Sequence, residues 1–434
     1  MRSNALRLLL ALALLLGSAA AGLGTLPPAF ADQRPGDTVN GTPIGDLAPP
    51  AEDLPSITAS YAGICTGDGT VLWERDANTQ TPMASTTKIM TALIALENSA
   101  PETPMMVTVG ASVTDGSTAG LEAGQTLTLH DLLYALMLPS GNDAAVVIAE
   151  NIAGTTFSFV DLMNEKAKAL GMANTHFADV HGLSDEDHYT TANDFLILTR
   201  AAMQEPLFRE VVGTREITVT IDGEEVKWES TNLLFDLMPN ATGVKTGFTD
   251  LAGYCFVGTA QRNGIELYAV IFHDTVDDPQ PRFDDAAALL EWGFRHYRRV
   301  ELINTKQLVG TMALTSWLDK NVEAYVPATI NLELFDLDGP ISQEILLEDW
   351  EGAVRKGAIC GSIIWSQNGE VLATSDLMAA QSVPEPSFFE GLSISWTRFW
   401  GNLFGNLEVE KTEITLSDTL TLPMIPPPSS EPQE

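Results

Sequence analysis

The stretch Met83-Ala84-Ser85-Thr86-Thr87-Lys88-Ile89-Met90-Thr91-Ala92-Leu93 decides the reading of this 434-residue chain. Ser85 is its only serine with a lysine three positions later. The run from Ile89 to Glu97 is apolar and free of Gly and Pro, so it reads as a helix. Residues three apart share a helix face, which sets the Lys88 amine beside the Ser85 hydroxyl near the helix N-terminus. A serine hydroxyl needs a base to become a nucleophile. A lysine serves as that base once burial or a neighbouring cation lowers its pKa. Alone the motif is short enough to arise by chance, so the reading depends on what accompanies it.

Two further motifs do. Ser140-Gly141-Asn142 sits in a turn after Pro139, between the helical runs 130–138 and 144–153. Lys245-Thr246-Gly247 sits on a strand-like run that leads into two apolar strands joined by Asn263-Gly264. Ser-x-x-Lys, Ser-x-Asn and Lys-Thr-Gly in this order form the set found in penicillin-binding proteins and β-lactamases. The chemistry assigns each member a task. Ser85 attacks a carbonyl, and Lys88 accepts its proton. Lys245 is a second cation that favours a neutral Lys88. Ser140 relays the proton to the leaving amine, and Asn142 holds a substrate amide. Lys245 and Thr246 bind a terminal carboxylate. Gly247 lets an extended peptide approach the strand closely. The backbone N–H groups of Ser85 and Phe248 are the candidate oxyanion hole.

The chain resembles a low-molecular-mass penicillin-binding protein of the D-alanyl-D-alanine carboxypeptidase type. The stretches that carry this are 83–93, Ser140-Gly141-Asn142-Asp143-Ala144-Ala145, His181-Gly182-Leu183, His188-Tyr189-Thr190-Thr191-Ala192 and Gly243-Val244-Lys245-Thr246-Gly247-Phe248-Thr249, continued by Ala252-Gly253-Tyr254. The likeness covers about residues 55 to 300, and more weakly Arg355-Lys356-Gly357 and 361–383. It implies a β-lactamase-like fold, a C-terminal amphipathic anchor, inhibition by penicillins, and removal of the terminal D-alanine from peptidoglycan pentapeptides. Phe248 departs from the pattern, standing where the family often has His or Tyr.

The remaining segments fit around this. Arg2 and Arg7 precede the apolar run Leu8–Leu16, and Ala29-Phe30-Ala31 offers a cleavage site, so residues 1–31 read as a signal peptide. The expected location is extracytoplasmic, in the cell envelope. Residues 32–54, rich in Pro, Gly and Asp, read as a linker. Residues 55–300 alternate hairpins with helices, ending in a helix over 283–300. This predicts an α+β domain, helices against an antiparallel sheet, of β-lactamase/transpeptidase-like architecture. Residues 301–385 read as a small β-rich second domain. In 386–407, Phe388, Leu392, Trp396, Phe399, Leu403 and Leu407 recur at helical spacing. That amphipathic helix suits either a membrane interface, with contact through 387–407, or docking on the protein itself. Residues 408–434 read as a disordered tail.

Composition excludes some functions. A formal charge of −35 argues against nucleic-acid binding. Cys65, Cys255 and Cys360 are too few and too scattered for a disulfide framework, though a Cys65–Cys255 pair stays open. His176, His181 and His188, with Asp179, Asp185 and Asp187, match no compact zinc pattern, so neither metal nor cofactor is expected. A β-lactamase also needs a base for deacylation, and no glutamate between Asn142 and Lys245 stands out for that task. A non-catalytic β-lactam or cell-wall binder would show a broken motif set, and all three motifs are intact. The expected partners are a stem peptide ending in D-Ala-D-Ala, and β-lactams as inhibitors.

Overall fold

Strand β11 (Ile265–Asp274) alternates between two cores, and this period-two pattern organises the catalytic half. Tyr268, Val270 and Phe272 face one core, and Leu267, Ala269 and Ile271 face the other. A strand buried on both faces must lie inside a sheet with helices on each side. The computed structural model describes residues 33–47, 53–183, 187–275 and 278–420, and it shows that arrangement. The signal-peptide reading and the last part of the tail fall outside the described residues.

The sheet has the order β2-β1-β4-β3-β11-β10-β9. It joins β1 (Thr38–Val39), β2 (Thr42–Pro43), β3 (Tyr61–Thr66) and β4 (Val71–Arg75) to β9 (Ala241–Thr249) and β10 (Gly253–Arg262), all neighbours antiparallel. Both ends of the domain therefore build one sheet. Helices α1 (Lys88–Asn98), α2 (Leu129–Met137), α3 (Asn142–Ala153), α4 (Thr156–Leu170) and α5 (Ala192–Ala202) contribute to the first core. Helix α6 (Pro281–His296) covers the second. Two small hairpins, β5 (Pro104–Met106) with β6 (Thr126–Thr128) and β7 (Glu216–Ile221) with β8 (Glu224–Glu229), stand apart from the sheet. Trp228 on β8 donates to the Ala119 carbonyl at 3.0 Å and so ties its hairpin to the loop ahead of α2.

Three expectations are corrected. Residues 38–43, read as linker, form an edge hairpin on β4, with Val39 buried. Asp37 is buried there and pairs with buried Arg75 through two hydrogen bonds of 2.9 and 2.7 Å. Removing one member of a buried pair strands the other charge. Asp37→Ala should therefore cost about 3–5 kcal/mol, read as a shift in the denaturant midpoint. The helix read over 283–300 ends at His296, and the chain continues as strand β12 (Tyr297–Ile303). The apolar spacing persists through Tyr297, but Tyr297 and Val300 suit a strand as well, and pairing with β15 (Ile330–Phe335) decides it.

The third correction concerns the tail. A second sheet has the order β19-β13-β14-β18-β17-β16-β20. Its strands are β13 (Gly310–Ala313), β14 (Asn321–Tyr325), β16 (Ile341–Leu347), β17 (Ile359–Gln367) and β18 (Glu370–Ala379), with β19 (Glu413–Ile414) and β20 (Thr419–Leu420) added from the tail. β19 pairs with one edge strand and β20 with the opposite one. Five residue steps separate Ile414 from Thr419, a reach of at most about 18 Å. The sheet must therefore curl until its two edges nearly meet. Helix α7 (Phe388–Phe404) lies between β18 and β19.

Candidate active site

Ser85 lies in a tight 3-10 turn, Ala84–Thr87, that feeds directly into α1. The sequence placed it near the helix N-terminus, and the turn holds its half-buried side chain just ahead of the first helical residues. Ala84 takes the left-handed conformation, φ 48°. Thr87 donates to the Ala84 carbonyl at 2.8 Å and meets His188 Nε2 at 2.7 Å. His188 Nδ1 accepts from the Ala178 N–H at 3.0 Å, so the proton sits on Nε2 and the ring donates to Thr87. Burial pushes the His188 pKa down to about 4, so this ring is a neutral brace for the turn.

The Lys88 amine is fully buried and reaches three oxygens: Ser85 Oγ at 2.9 Å, Asn142 Oδ1 at 2.6 Å and the His181 carbonyl at 2.9 Å. Burial lowers its pKa to about 7, against the opposing pull of Asp179 and Asp143. Desolvation is the leading cause of this shift, and the coupling of the two cations shows on Lys245. Lys245 is itself buried, and its pKa is depressed by burial first, then by Lys88 and Arg282.

Asn142 also departs from its expected role. Its Oδ1 is taken by Lys88, and its Nδ2 donates to the Asp115 carbonyl at 2.6 Å. It orients the base rather than offering an open amide. Ser140 adopts φ 66°, and its buried Oγ has no partner among the described residues. A buried hydroxyl left unpaired is costly, so this one is available for a substrate or a proton.

Strand β9 forms the other wall and the free edge of the main sheet. A Cβ at Gly247 would lie 3.1 Å from both the Ser85 nitrogen and Ala84 Cβ, so glycine admits the strand to the nucleophile turn. Lys245 Nζ donates to the Thr246 carbonyl at 3.1 Å, and Thr246 Oγ1 meets Thr231 Oγ1 at 2.6 Å. Phe248 is half exposed and leans on Tyr254, ring centroids 4.5 Å apart.

Several contributors were given no part in the site by the sequence. Asp143 accepts from the N–H groups of Ala119 and Leu121 and from Thr118 Oγ1, fastening the 118–121 loop to α3. Asp179 accepts from the His181 and Gly182 N–H groups and so shapes the carbonyl that faces Lys88. Arg282 opens α6, donates to the Gly247 carbonyl at 3.0 Å and lies over Tyr254. Asp143 and Arg282 act through partners distant in sequence, and Asp179 through a local turn that matters only because the fold sets it against Lys88. Cys65 and Cys255 are buried free thiols, both pushed up to about 12 by burial. Among the described residues no cluster of three or more His, Cys, Asp or Glu is placed to hold a metal.

Comparisons with known proteins agree with this geometry. The family model described as D-alanyl-D-alanine carboxypeptidase matches residues 50–276. The D-alanyl-D-alanine carboxypeptidase DacF of Bacillus subtilis is 30% identical over 343 residues, spanning 76% of this chain and 88% of the relative. The crystal structure of the Streptomyces K15 DD-transpeptidase matches with TM-score 0.53 and 32% identity, over 55% of this chain and 98% of that one. The D-alanyl-D-alanine carboxypeptidase DacD of Francisella tularensis, at 24% identity and TM-score 0.56, shares the fold over 76% of this chain and 94% of its own.

Proposed function

Since the chain belongs to the D-alanyl-D-alanine carboxypeptidase family and is a serine-type carboxypeptidase of cell-wall remodelling, we propose that it acts on peptidoglycan stem peptides ending in D-Ala-D-Ala, and that penicillins acylate the same serine. The observation that carries the mechanism is a fully buried Lys88 amine 2.9 Å from Ser85 Oγ. Neutral Lys88 takes the hydroxyl proton as Oγ attacks the penultimate D-alanine carbonyl. The N–H groups of Ser85 and Phe248 receive the oxyanion. The tetrahedral intermediate collapses with cleavage of the peptide bond. The proton passes to the departing nitrogen through Ser140, leaving an acyl ester on Ser85. Water then releases the shortened peptide. The substrate lies along the free edge of β9, its terminal carboxylate toward Lys245, Thr246 and the buried guanidinium of Arg282.

The chain works outside the cytoplasm, after export, at the outer face of the cytoplasmic membrane. The leader-like first 31 residues and the exposed aromatic residues of α7 support this placement.

The test is incubation of the exported chain with a fluorescent penicillin and with a pentapeptide ending in D-Ala-D-Ala. Labelling at Ser85 with release of D-alanine supports the reading. Labelling without release makes the protein a binder. Release that is blocked by a chelator, without labelling, overturns the serine mechanism. Acylation needs the free amine of Lys88, whose pKa lies at about 7. The labelling rate should therefore rise with pH, level off above about 8, and fall roughly a hundredfold from that plateau by about pH 5.

A further inference from the structure

We infer that Thr231, which lies outside the three motifs, is a positioning residue for the reaction: it sets the direction of the Thr246 hydroxyl, so that the Thr246 proton points at the terminal carboxylate of the substrate. This deepens the carboxylate contact proposed above and rests on it. Two observations lead there, a short hydrogen bond and a count of protons.

The two hydroxyl oxygens belong to residues 15 positions apart in the chain and stand 2.6 Å from each other. Thr246 is buried in the β9 wall of the site. The other donor near its hydroxyl, Lys245 Nζ, is 3.5 Å away, at the outer limit of a hydrogen bond. That amine is better placed toward the Thr246 carbonyl, at 3.1 Å. Thr231 is exposed, but the chain is fixed on both sides of it. The Ser230 N–H donates to the Arg215 carbonyl at 2.7 Å. Buried Asn232 accepts the Leu234 N–H on Oδ1 at 3.0 Å, at the start of the short helix Leu234–Leu237. Thr231 therefore meets Thr246 from a fixed position.

A threonine hydroxyl holds one proton and two lone pairs. The short bond consumes one of the pair's two protons. If Thr246 donates to Thr231, its proton is spent, and it turns lone pairs toward an incoming carboxylate, a repulsive contact. If Thr231 donates to Thr246, the Thr246 proton stays available. A chain then runs from Thr231 through Thr246 to the carboxylate. Hydrogen bonds in such a chain polarise one another, and the last of them is charge-assisted. Exposure lets water serve the lone pairs of Thr231, so that residue loses nothing by donating. A carboxylate in the site thus selects the direction from Thr231 to Thr246. Without the Thr231 hydroxyl, nothing holds the Thr246 rotor to it.

The test is D-alanine release from a pentapeptide ending in D-Ala-D-Ala by the exported chain, by Thr231→Val, Thr231→Ser and Thr246→Val, and by the double variant with valine at both positions. Valine keeps the shape of threonine and removes the hydroxyl. The carboxylate contact is present both before and during the reaction. Thr231→Val should therefore raise KM about tenfold and leave kcat within about twofold of the parent. Thr231→Ser should restore the parental KM. The melting temperature of Thr231→Val should stay within about 2 °C of the parent, since Thr231 is exposed. The double variant should be within about twofold of Thr246→Val alone, because both changes act through one hydroxyl. A parental KM in Thr231→Val, a melting temperature lowered beyond that margin, or a loss that serine does not restore overturns the inference. Losses that multiply in full in the double variant overturn it too, because Thr231 then binds the substrate on its own. All of these leave the proposed function standing, since the parent releases D-alanine. A parent that releases none overturns the proposed function and this inference together.

Discussion

Lys88→Arg should acylate about 10²–10⁴-fold more slowly than the parent, the range lost when a positioned general base is removed. Arginine keeps the positive charge and the reach but does not give up its proton. The site is also built for a compact amine. Three oxygens surround Nζ at 2.6–2.9 Å, and a planar guanidinium does not fit that cage without displacing Asn142 or the His181 carbonyl. The measurement is stopped-flow labelling by a fluorescent penicillin, with thermal denaturation as the fold control. A variant that labels at the parental rate would show that another group takes the Ser85 proton. The variant should also lose the rise in rate through pH 7, since that rise belongs to the lysine amine.

Gly182→Ala should be the most damaging single methyl in the catalytic half. Gly182 has φ +95°, and a Cβ there would lie 1.9 Å from the Ala84 carbonyl oxygen and 2.9 Å from the Ser85 nitrogen. Both are backbone atoms, so no side chain can swing aside. The left-handed conformation and the overpacking each cost about 1–3 kcal/mol. A loss of about 3 kcal/mol or more, seen as a melting temperature lower by about 6–12 °C, is expected. The nucleophile turn must shift as well, so penicillin labelling should fall even where the variant is folded. An unchanged melting temperature together with parental labelling would contradict the close packing of the 179–183 loop on Ser85.

The nucleophile, its base and the strand beside them were legible because each is a local pattern. Ser85 and Lys88 are one turn apart, Ser140-Gly141-Asn142 is a tight turn, and Lys245-Thr246-Gly247 lies on a strand next to an Asn-Gly hairpin. The source of the Lys88 shift was not legible. Burial depends on elements far apart in sequence, and Asp143, Asp179 and Arg282 enter through contacts that no spacing encodes. The same reason explains the linker and the tail. Strands of two residues such as Thr38–Val39 and Glu413–Ile414 are too short to show an alternation. They are strands only because a neighbour offers an open edge. The helix that overran its end shows the converse: a spacing that suits a helix persisted past His296, and pairing with a distant strand overrode it.

The curled second sheet makes the order of synthesis matter. The catalytic sheet draws its strands from residues 38–274, and its covering helix ends at His296, so this half has all its parts once the first three hundred residues have emerged. The second sheet is different. Its two edge strands receive their partners only from Glu413–Ile414 and Thr419–Leu420, which are made after every other strand of that sheet. Until then β13 and β16 carry bare edges, the feature that invites pairing with other chains. A nascent molecule therefore passes through a stage with a finished enzyme and an open sheet. The last strands act as a clasp that ends this stage, and the aromatic helix is presented on a closed body only after the clasp has shut.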